Sequence, residues 1–380
     1  MKRIVSLVLV MALVAVLLPV GVMAAAPQVA AKSAVLMDMV TGQVLYEQNA
    51  HEALPPASVT KVMTLLLIME AIDSGRIGWD DTVTASEAAA AKGGSQVYLK
   101  VGETMTVTDM VKSIAVSSAN DCACAMAELI CGSEGAFVEA MNEKAKALGM
   151  EHTHFLNCTG LDDDPQANNH LTCAMDIAVM SRELMMKHPD IRKFTTIWMD
   201  TIRDGAFGLS NTNKLVRFYP GATGLKTGFT QKAGYCLSAT AQRDGMELVA
   251  VVMGAESSKD RFNACKQLLD YGFANYALVA PELQAGSVPV KLGVADSVAA
   301  VPREDVKLLV DKAQRNEVHI QTELEDSVAA PVSKGQKLGT MTVSVGQQVI
   351  AQIPLLAAED VPKLTFWQMF MRIFRQVCMG

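Results

Sequence analysis

The chain has 380 residues, with 33 Lys and Arg against 40 Asp and Glu, and a formal charge of −7. Half of the residues are apolar and 19% are charged, which excludes a disordered chain and leaves room for a large domain and a smaller one. A net acidic chain lacks the basic footprint of a nucleic-acid binder, so no nucleic-acid partner is expected.

Lys2 and Arg3 precede an apolar run from Ile4 to Leu18, which Pro19 and Gly21 break before the small residues at 24–26. This pattern predicts a secretory signal peptide over residues 1–24, because about fifteen apolar residues are short for a membrane span. Its removal takes away two positive charges. An exported protein meets an oxidising environment, yet Cys122, Cys124 and Cys131 lie in one predicted helix at spacings that do not favour bridging. They alternate with Ala like small core residues, so mostly free thiols are expected. The eight cysteines and six histidines show no Cys-x-x-Cys or His-Glu-x-x-His spacing, and neither a metal nor an organic cofactor is expected.

Residues 33–49 read as two strands about a turn at Thr41-Gly42. Residues 58–72 are apolar on nearly every face after Lys61, which predicts a helix buried all round. Residues 80–200 are mainly helical in pattern, interrupted at Gly93-Gly94 and over 157–170. Two apolar runs, 234–241 and 246–253, flank Arg243-Asp244-Gly245 as a hairpin, and a helix follows over 261–273.

After Pro281 short alternating segments, among them Val288-Pro289-Val290, Val318 to Leu324 and Met341 to Val345, predict a small all-β domain. Residues 364–378 then predict an amphipathic helix. At 100° per residue Phe366, Trp367, Phe370, Ile373, Phe374 and Val377 share about one third of its circumference, opposite Gln368, Arg372, Arg375 and Gln376. With Lys363 and no acidic residue in 361–380, this end has the character of a peripheral anchor lying in a membrane surface.

Three motifs carry chemistry: Ser58-Val59-Thr60-Lys61, Ser118-Ala119-Asn120 and Lys226-Thr227-Gly228. Each alone is cheap, but the ordered set is rare. Lys61 sits one turn after Ser58 on an otherwise apolar helix, so its ammonium can reach the serine hydroxyl. A desolvated lysine beside a second cation, which Lys226 can supply, loses its proton readily and becomes a usable base. Pro55-Pro56-Ala57-Ser58 also reads as a helix N-cap.

The triplet resembles the penicillin-binding serine acyltransferases. PPASVTKVMTLLLIMEAI, GGSQVYLKVGE, VSSANDCACAMAE, NCTGLDDDPQANNHLT and YPGATGLKTGFTQKAGYCL together resemble the low-molecular-mass D-alanyl-D-alanine carboxypeptidases of peptidase family S11, across residues 30 to 380. The resemblance implies an α+β fold: a β-lactamase/transpeptidase-like domain with an antiparallel sheet flanked by helices over 30–277, a small all-β domain over 280–358 and the amphipathic helix within 361–380. It implies that Ser58 attacks the carbonyl between the terminal D-alanines of a peptidoglycan stem peptide, that Lys61 is the general base, and that Ser118 relays a proton to the leaving nitrogen. Asn120, Lys226, Thr227 and Gly228 would hold substrate, and the backbone N–H groups of Ser58 and Phe229 would form the oxyanion hole. Arg261 would take the substrate carboxylate. β-Lactams would be inhibitors, no cofactor or metal would be used, and the enzyme would sit on the outer face of the cytoplasmic membrane. Two positions depart from the family pattern: Phe229 stands where a polar residue is common, and Cys173 where a small hydroxyl residue is usual. A class A β-lactamase would need a glutamate on the loop before the third motif, and residues 157–170 contain Asp162, Asp163 and Asp164 but no Glu. A non-catalytic wall-binding protein would not require the complete motif set.

Overall fold

The computed structural model describes residues 26–162, 165–280, 286–303 and 306–379. The predicted signal peptide, and Asp163 and Asp164 of the acidic loop, lie outside the described residues. The chain divides into two compact units, one spanning Ala24–Ala274 and one containing Asn275–Gly380.

The first unit is built on a five-stranded sheet, β1 (Ser33–Asp38), β2 (Val44–Gln48), β3 (Ala222–Thr230), β4 (Gly234–Arg243) and β5 (Met246–Ala255), in the order β2-β1-β5-β4-β3. Every neighbour pair is antiparallel. Strand β5 is a near-continuous apolar run, interrupted only by Glu247, and all ten of its positions are buried. Strand β3 is therefore an edge, bonded to β4 on one side only.

Six longer helices accompany the sheet: α1 (Lys61–Asp73), α2 (Val107–Ser117), α3 (Asn120–Cys131), α4 (Glu134–Ala147), α5 (Ala174–Lys187) and α6 (Ser258–Asn275). Helix α1 is the central one. Val62, Met63, Leu65, Leu66, Ile68 and Met69 are all fully buried, as an apolar run without a polar stripe requires. Thr106, Ser133 and Cys173 cap α2, α4 and α5 through side-chain acceptors. The seven cysteines whose side chains are described are free, and Cys122, Cys124, Cys158, Cys173, Cys236 and Cys265 are buried.

In the second unit β6 (Gly286–Lys291), β7 (Ser297–Pro302), β8 (Val318–Leu324), β9 (Val328–Ala329), β10 (Lys337–Val345) and β11 (Gln348–Ala357) form a sheet in the order β8-β10-β11-β7-β6-β9. Val288, Val298, Leu338, Met341 and Val343 lie in its apolar core. Helix α7 (Phe366–Met379) follows. Arg372 on its polar side pairs with Asp296 and donates to the Gly293 carbonyl at 3.2 Å. Its aromatic side stays open to solvent, with Trp367 71% and Phe366 70% exposed, and Phe370, Ile373 and Phe374 also exposed. The side chain of Val377 lies outside the described residues.

Candidate active site

The chain enters the site through Pro56 and a single 3-10 turn, Ala57–Thr60, which runs into α1 at Lys61. Ala57 has φ +47°, a left-handed conformation that costs a non-glycine residue about 1 kcal/mol. The N-cap reading of Ser58 does not hold: the residue preceding α1 is Thr60, and no side chain caps the helix. The Ser58 hydroxyl is instead engaged by Lys61, whose Nζ lies 3.0 Å from Ser58 Oγ. Ser58 is half-buried while Lys61 is completely enclosed.

Burial pushes the Lys61 ammonium down from 10.5 to about 7, against the opposing pull of the Asp121 carboxylate. Desolvation, one of the two causes expected from the sequence, carries the shift of Lys61. The repulsion falls mainly on Lys226, which is held well below its usual range by burial, then by Lys61, then by Arg261. The two lysines share one electrostatic site, and Lys226 Nζ donates to the Thr227 carbonyl at 3.0 Å.

Helix α2 stops at Ser117 because Ser118 turns left-handed, with φ +65°. This places Ser118 and Asn120 at the junction of α2 and α3, where both are buried. Asn120 Nδ2 donates to the Gly93 carbonyl at 2.7 Å, and its backbone N–H to Ser95. Ser118 Oγ and Asn120 Oδ1 remain without a protein partner. Two unsatisfied buried oxygens at a tight turn mark a place built to receive polar groups from elsewhere.

Edge strand β3 supplies Lys226, Thr227, Gly228 and Phe229. Thr227 Oγ1 donates to Thr212 Oγ1 at 2.7 Å, and the Thr212 N–H donates to Val116 at the end of α2, which ties the strand to the Ser118 turn. A Cβ on Gly228 would lie 2.7 Å from the Pro56 carbonyl and 3.1 Å from the Ser58 nitrogen, so glycine permits β3 to press against the turn that carries Ser58. Phe229, half exposed, stacks on Tyr235 with ring centroids 4.2 Å apart. Arg261 is buried on α6, where Nη1 donates to the carbonyls of Gly228 at 2.9 Å and Cys236 at 3.3 Å. Its guanidinium also lies 5.3 Å from the Tyr235 ring centre. Arg261 therefore clasps β3 to β4 and does not present its whole fork to a ligand, although its Nε has no partner.

Several supporting residues escaped the sequence reading. The Thr159 carbonyl accepts from Lys61 Nζ at 2.8 Å, and the Cys158 carbonyl from Thr64 Oγ1 at 2.6 Å. Asn157 Oδ1 collects the N–H groups of Thr159 and Gly160, and Asn157 Nδ2 donates to Leu161, closing the loop on itself. His170 Nδ1 accepts from the Leu156 N–H, so the proton sits on Nε2 and is shared with Thr60 Oγ1. Burial, aided by His154, pushes His170 down to about 4, which keeps it neutral and makes it a strut of the loop.

With both nitrogens of His170 committed, the basic side chain beside Ser58 is that of Lys61, which can be uncharged near neutrality, an arrangement that suits serine acyl transfer without a histidine base. Comparison with known proteins identifies which kind. The peptidase S11 family, described as D-alanyl-D-alanine carboxypeptidase, matches residues 21–257, and the penicillin-binding protein 5 C-terminal domain matches residues 273–363. The chain belongs to the D-alanyl-D-alanine carboxypeptidase family. It is 44% identical over 343 residues to the D-alanyl-D-alanine carboxypeptidase DacF of Bacillus subtilis, covering 88% of this chain and 87% of that one. The solved structure of penicillin-binding protein 5 from Haemophilus influenzae matches with a TM-score of 0.78 and 31% identity, over 89% of this chain and 99% of that one. Penicillin-binding protein D2 from Listeria monocytogenes, solved in its ampicillin-bound form, matches with a TM-score of 0.59 and 33% identity, over 65% of this chain and all of that one. The fold is accordingly the expected one, a transpeptidase-like unit with a C-terminal all-β domain.

Proposed function

We propose that Ser58 is the nucleophile and Lys61 the general base of a carboxypeptidase that removes the terminal D-alanine from peptidoglycan stem pentapeptides. The carrying observation is the fully buried Lys61 Nζ at 3.0 Å from Ser58 Oγ. As a neutral amine, Lys61 donates one N–H to the Thr159 carbonyl and turns its lone pair to the Ser58 proton. Ser58 Oγ attacks the carbonyl between the two D-alanines, and the oxyanion settles on the N–H groups of Ser58 and Phe229. Ser118 Oγ passes a proton to the departing D-alanine nitrogen as the C–N bond breaks, leaving an acyl-serine that water hydrolyses. Asn120 Oδ1, unpartnered, suits an N–H of the acyl group. The free edge of β3 offers main-chain groups on which an extended peptide can lie as an added strand. Lys226, Thr227 and Gly228 hold the substrate there, and Arg261 keeps that strand in place.

The same serine is acylated by β-lactams. The peptidase unit spans residues 30–277, the small β domain 280–358 and the anchor 361–380. No described helix is long and apolar enough to cross a membrane, and α7 carries its aromatic side outward. That open face supports peripheral attachment at the outer face of the cytoplasmic membrane after cleavage of residues 1–24. The test is purified protein with a defined pentapeptide and with crosslinked muropeptides, scored by mass spectrometry. Release of free D-alanine from the pentapeptide, with the acyl mass on Ser58, supports the reading. Cleavage of crosslinks alone, or rapid turnover of free penicillin, overturns it.

A further inference from the structure

Neither the peptidase chemistry nor the anchor accounts for a cluster at the far end of the acidic loop. The spacing of His and Cys along the chain gave no sign of a metal site. The fold nevertheless brings one nitrogen of His51, one nitrogen of His152 and Cys173 Sγ to within 4.8 Å of one another. We propose that His51, His152 and Cys173 bind a single Zn2+ ion, with a water molecule in the fourth position.

Three observations carry the proposal. The first is the donor set: two imidazoles and one thiol are ligands for a borderline-soft divalent ion and not for Ca2+ or Mg2+. Tetrahedral zinc, with bonds of about 2.0–2.3 Å, holds its donors roughly 3.3–3.8 Å apart, a short closure from the present separation. His51 and His152 are exposed and can rotate to make it, their rings now 5.3 Å apart and tilted by 46°.

The second is the scaffold, because the three segments are already fastened to each other. Leu54 and Thr172 exchange backbone hydrogen bonds of 2.7 and 3.0 Å, and the Met175 N–H donates to the Ala50 carbonyl at 3.0 Å. Asp176 Oδ2 accepts from the His152 N–H at 3.0 Å and from Thr153 Oγ1 at 2.7 Å, while Thr153 and Thr172 share a hydroxyl bond of 2.7 Å. A ligand held on fixed backbone loses little entropy on binding.

The third is the residue type at 173. Cys173 occupies the N-cap of α5, accepting from the Asp176 N–H through sulfur at 3.4 Å. An oxygen caps better than a thiol, so capping alone does not explain the cysteine. Coordination does. On binding, the Cys173 S–H bond breaks, its proton leaves to solvent and the thiolate sulfur takes the metal, with no change of oxidation state. The ion would join the segment leading to Ser58 to the segment that leaves the acidic loop.

The test uses untagged protein freed of metal by a chelator and titrated with Zn2+ and with Co2+. The expected result is one ion per chain, a thiolate-to-Co2+ charge-transfer band, and a melting temperature that rises with Zn2+ concentration. Cys173→Ser, which keeps an N-cap, should abolish the band. His51→Ala and His152→Ala should each weaken binding at least tenfold, and all three variants should melt like the parent without metal. Absence of the band in the parent, or Zn2+ binding as tight as the parent's in Cys173→Ser or in a His51→Ala/His152→Ala double variant, would overturn the proposal. Loss of D-alanine release in Ser58→Ala leaves the site intact, so its failure is separable from that of the catalytic assignment.

Discussion

The carbonyl of Thr159 accepts a hydrogen bond from Lys61 Nζ across a sequence separation of 98 residues. A backbone acceptor on the loop thereby fixes the direction in which the lysine can offer its lone pair. It also couples the loop to the lysine, because displacement of residue 159 would let Nζ swing away from Ser58.

The pH dependence of acylation should follow Lys61. With this group pushed down to about 7, the rate of acylation by benzylpenicillin should climb about tenfold per pH unit below 7 and level off above it. A flat profile from pH 5 to 9 would remove Lys61 from the role. Stability should report the same group. Between about 7 and 10.5 the unfolded chain holds one proton more than the native chain, so the Lys61 contribution to stability rises with pH across that window and is least favourable below 7. Relative to Lys61→Met, the native protein should gain stability over that range, by roughly 4–5 kcal/mol at the upper limit, as measured by urea titration.

Ser58→Ala should abolish both penicillin labelling and D-alanine release while the protein stays folded. Its hydroxyl is half-buried and bonded to Lys61, so removal should cost about 1 kcal/mol of stability. Acyl mass on any other serine after tryptic digestion would show that the assignment is wrong.

Gly228→Ala probes the contact between the edge strand and the turn that carries Ser58. The new methyl would meet backbone atoms of Pro56, Ser58 and Val59 at 2.7–3.1 Å, none of which is a flexible side-chain end. Acylation should fall by about two orders of magnitude, with a stability loss of about 1–3 kcal/mol from overpacking. Unchanged acylation kinetics would mean that the turn yields without consequence.

The anchor is tested by Trp367→Ser and Phe370→Ser together. Each ring withdrawn from a lipid surface should cost on the order of 1.5–3 kcal/mol, so partitioning onto anionic vesicles should drop by a hundredfold or more, with penicillin labelling intact. Equal sedimentation of the double variant with vesicles would discard the open aromatic face as the membrane contact.

Legibility in the sequence followed the range of the interactions. Ser58 and Lys61 are three residues apart on one turn, so their encounter could be read from spacing alone, even though that turn is 3-10 at Ser58 and α-helical only from Lys61. The Thr159 carbonyl could not be read, since a main-chain oxygen has no residue type to announce it. Asn157, followed by Cys158-Thr159-Gly160, did carry a turn signal that could have marked the loop as self-closing. The resemblance assigned Arg261 to the substrate carboxylate, but its clasp on the Gly228 and Cys236 carbonyls depends on how α6 packs against the sheet. His51, His152 and Cys173 share no spacing at all; the backbone bonds of Leu54 with Thr172 and of Met175 with Ala50 set the first beside the third.

The open edge of β3 has a cost in colloidal behaviour. Any strand whose N–H and C=O groups await a peptide can equally accept a strand from another copy of itself, the route by which sheets grow into aggregates. In this protein the turn that carries Ser58 leans on Gly228, so that a long, flat, apolar partner finds little purchase. A substitution that lifts the turn from the strand, as a larger residue at 228 would, should therefore do more than slow acylation: it should lower the concentration at which the folded protein begins to self-associate.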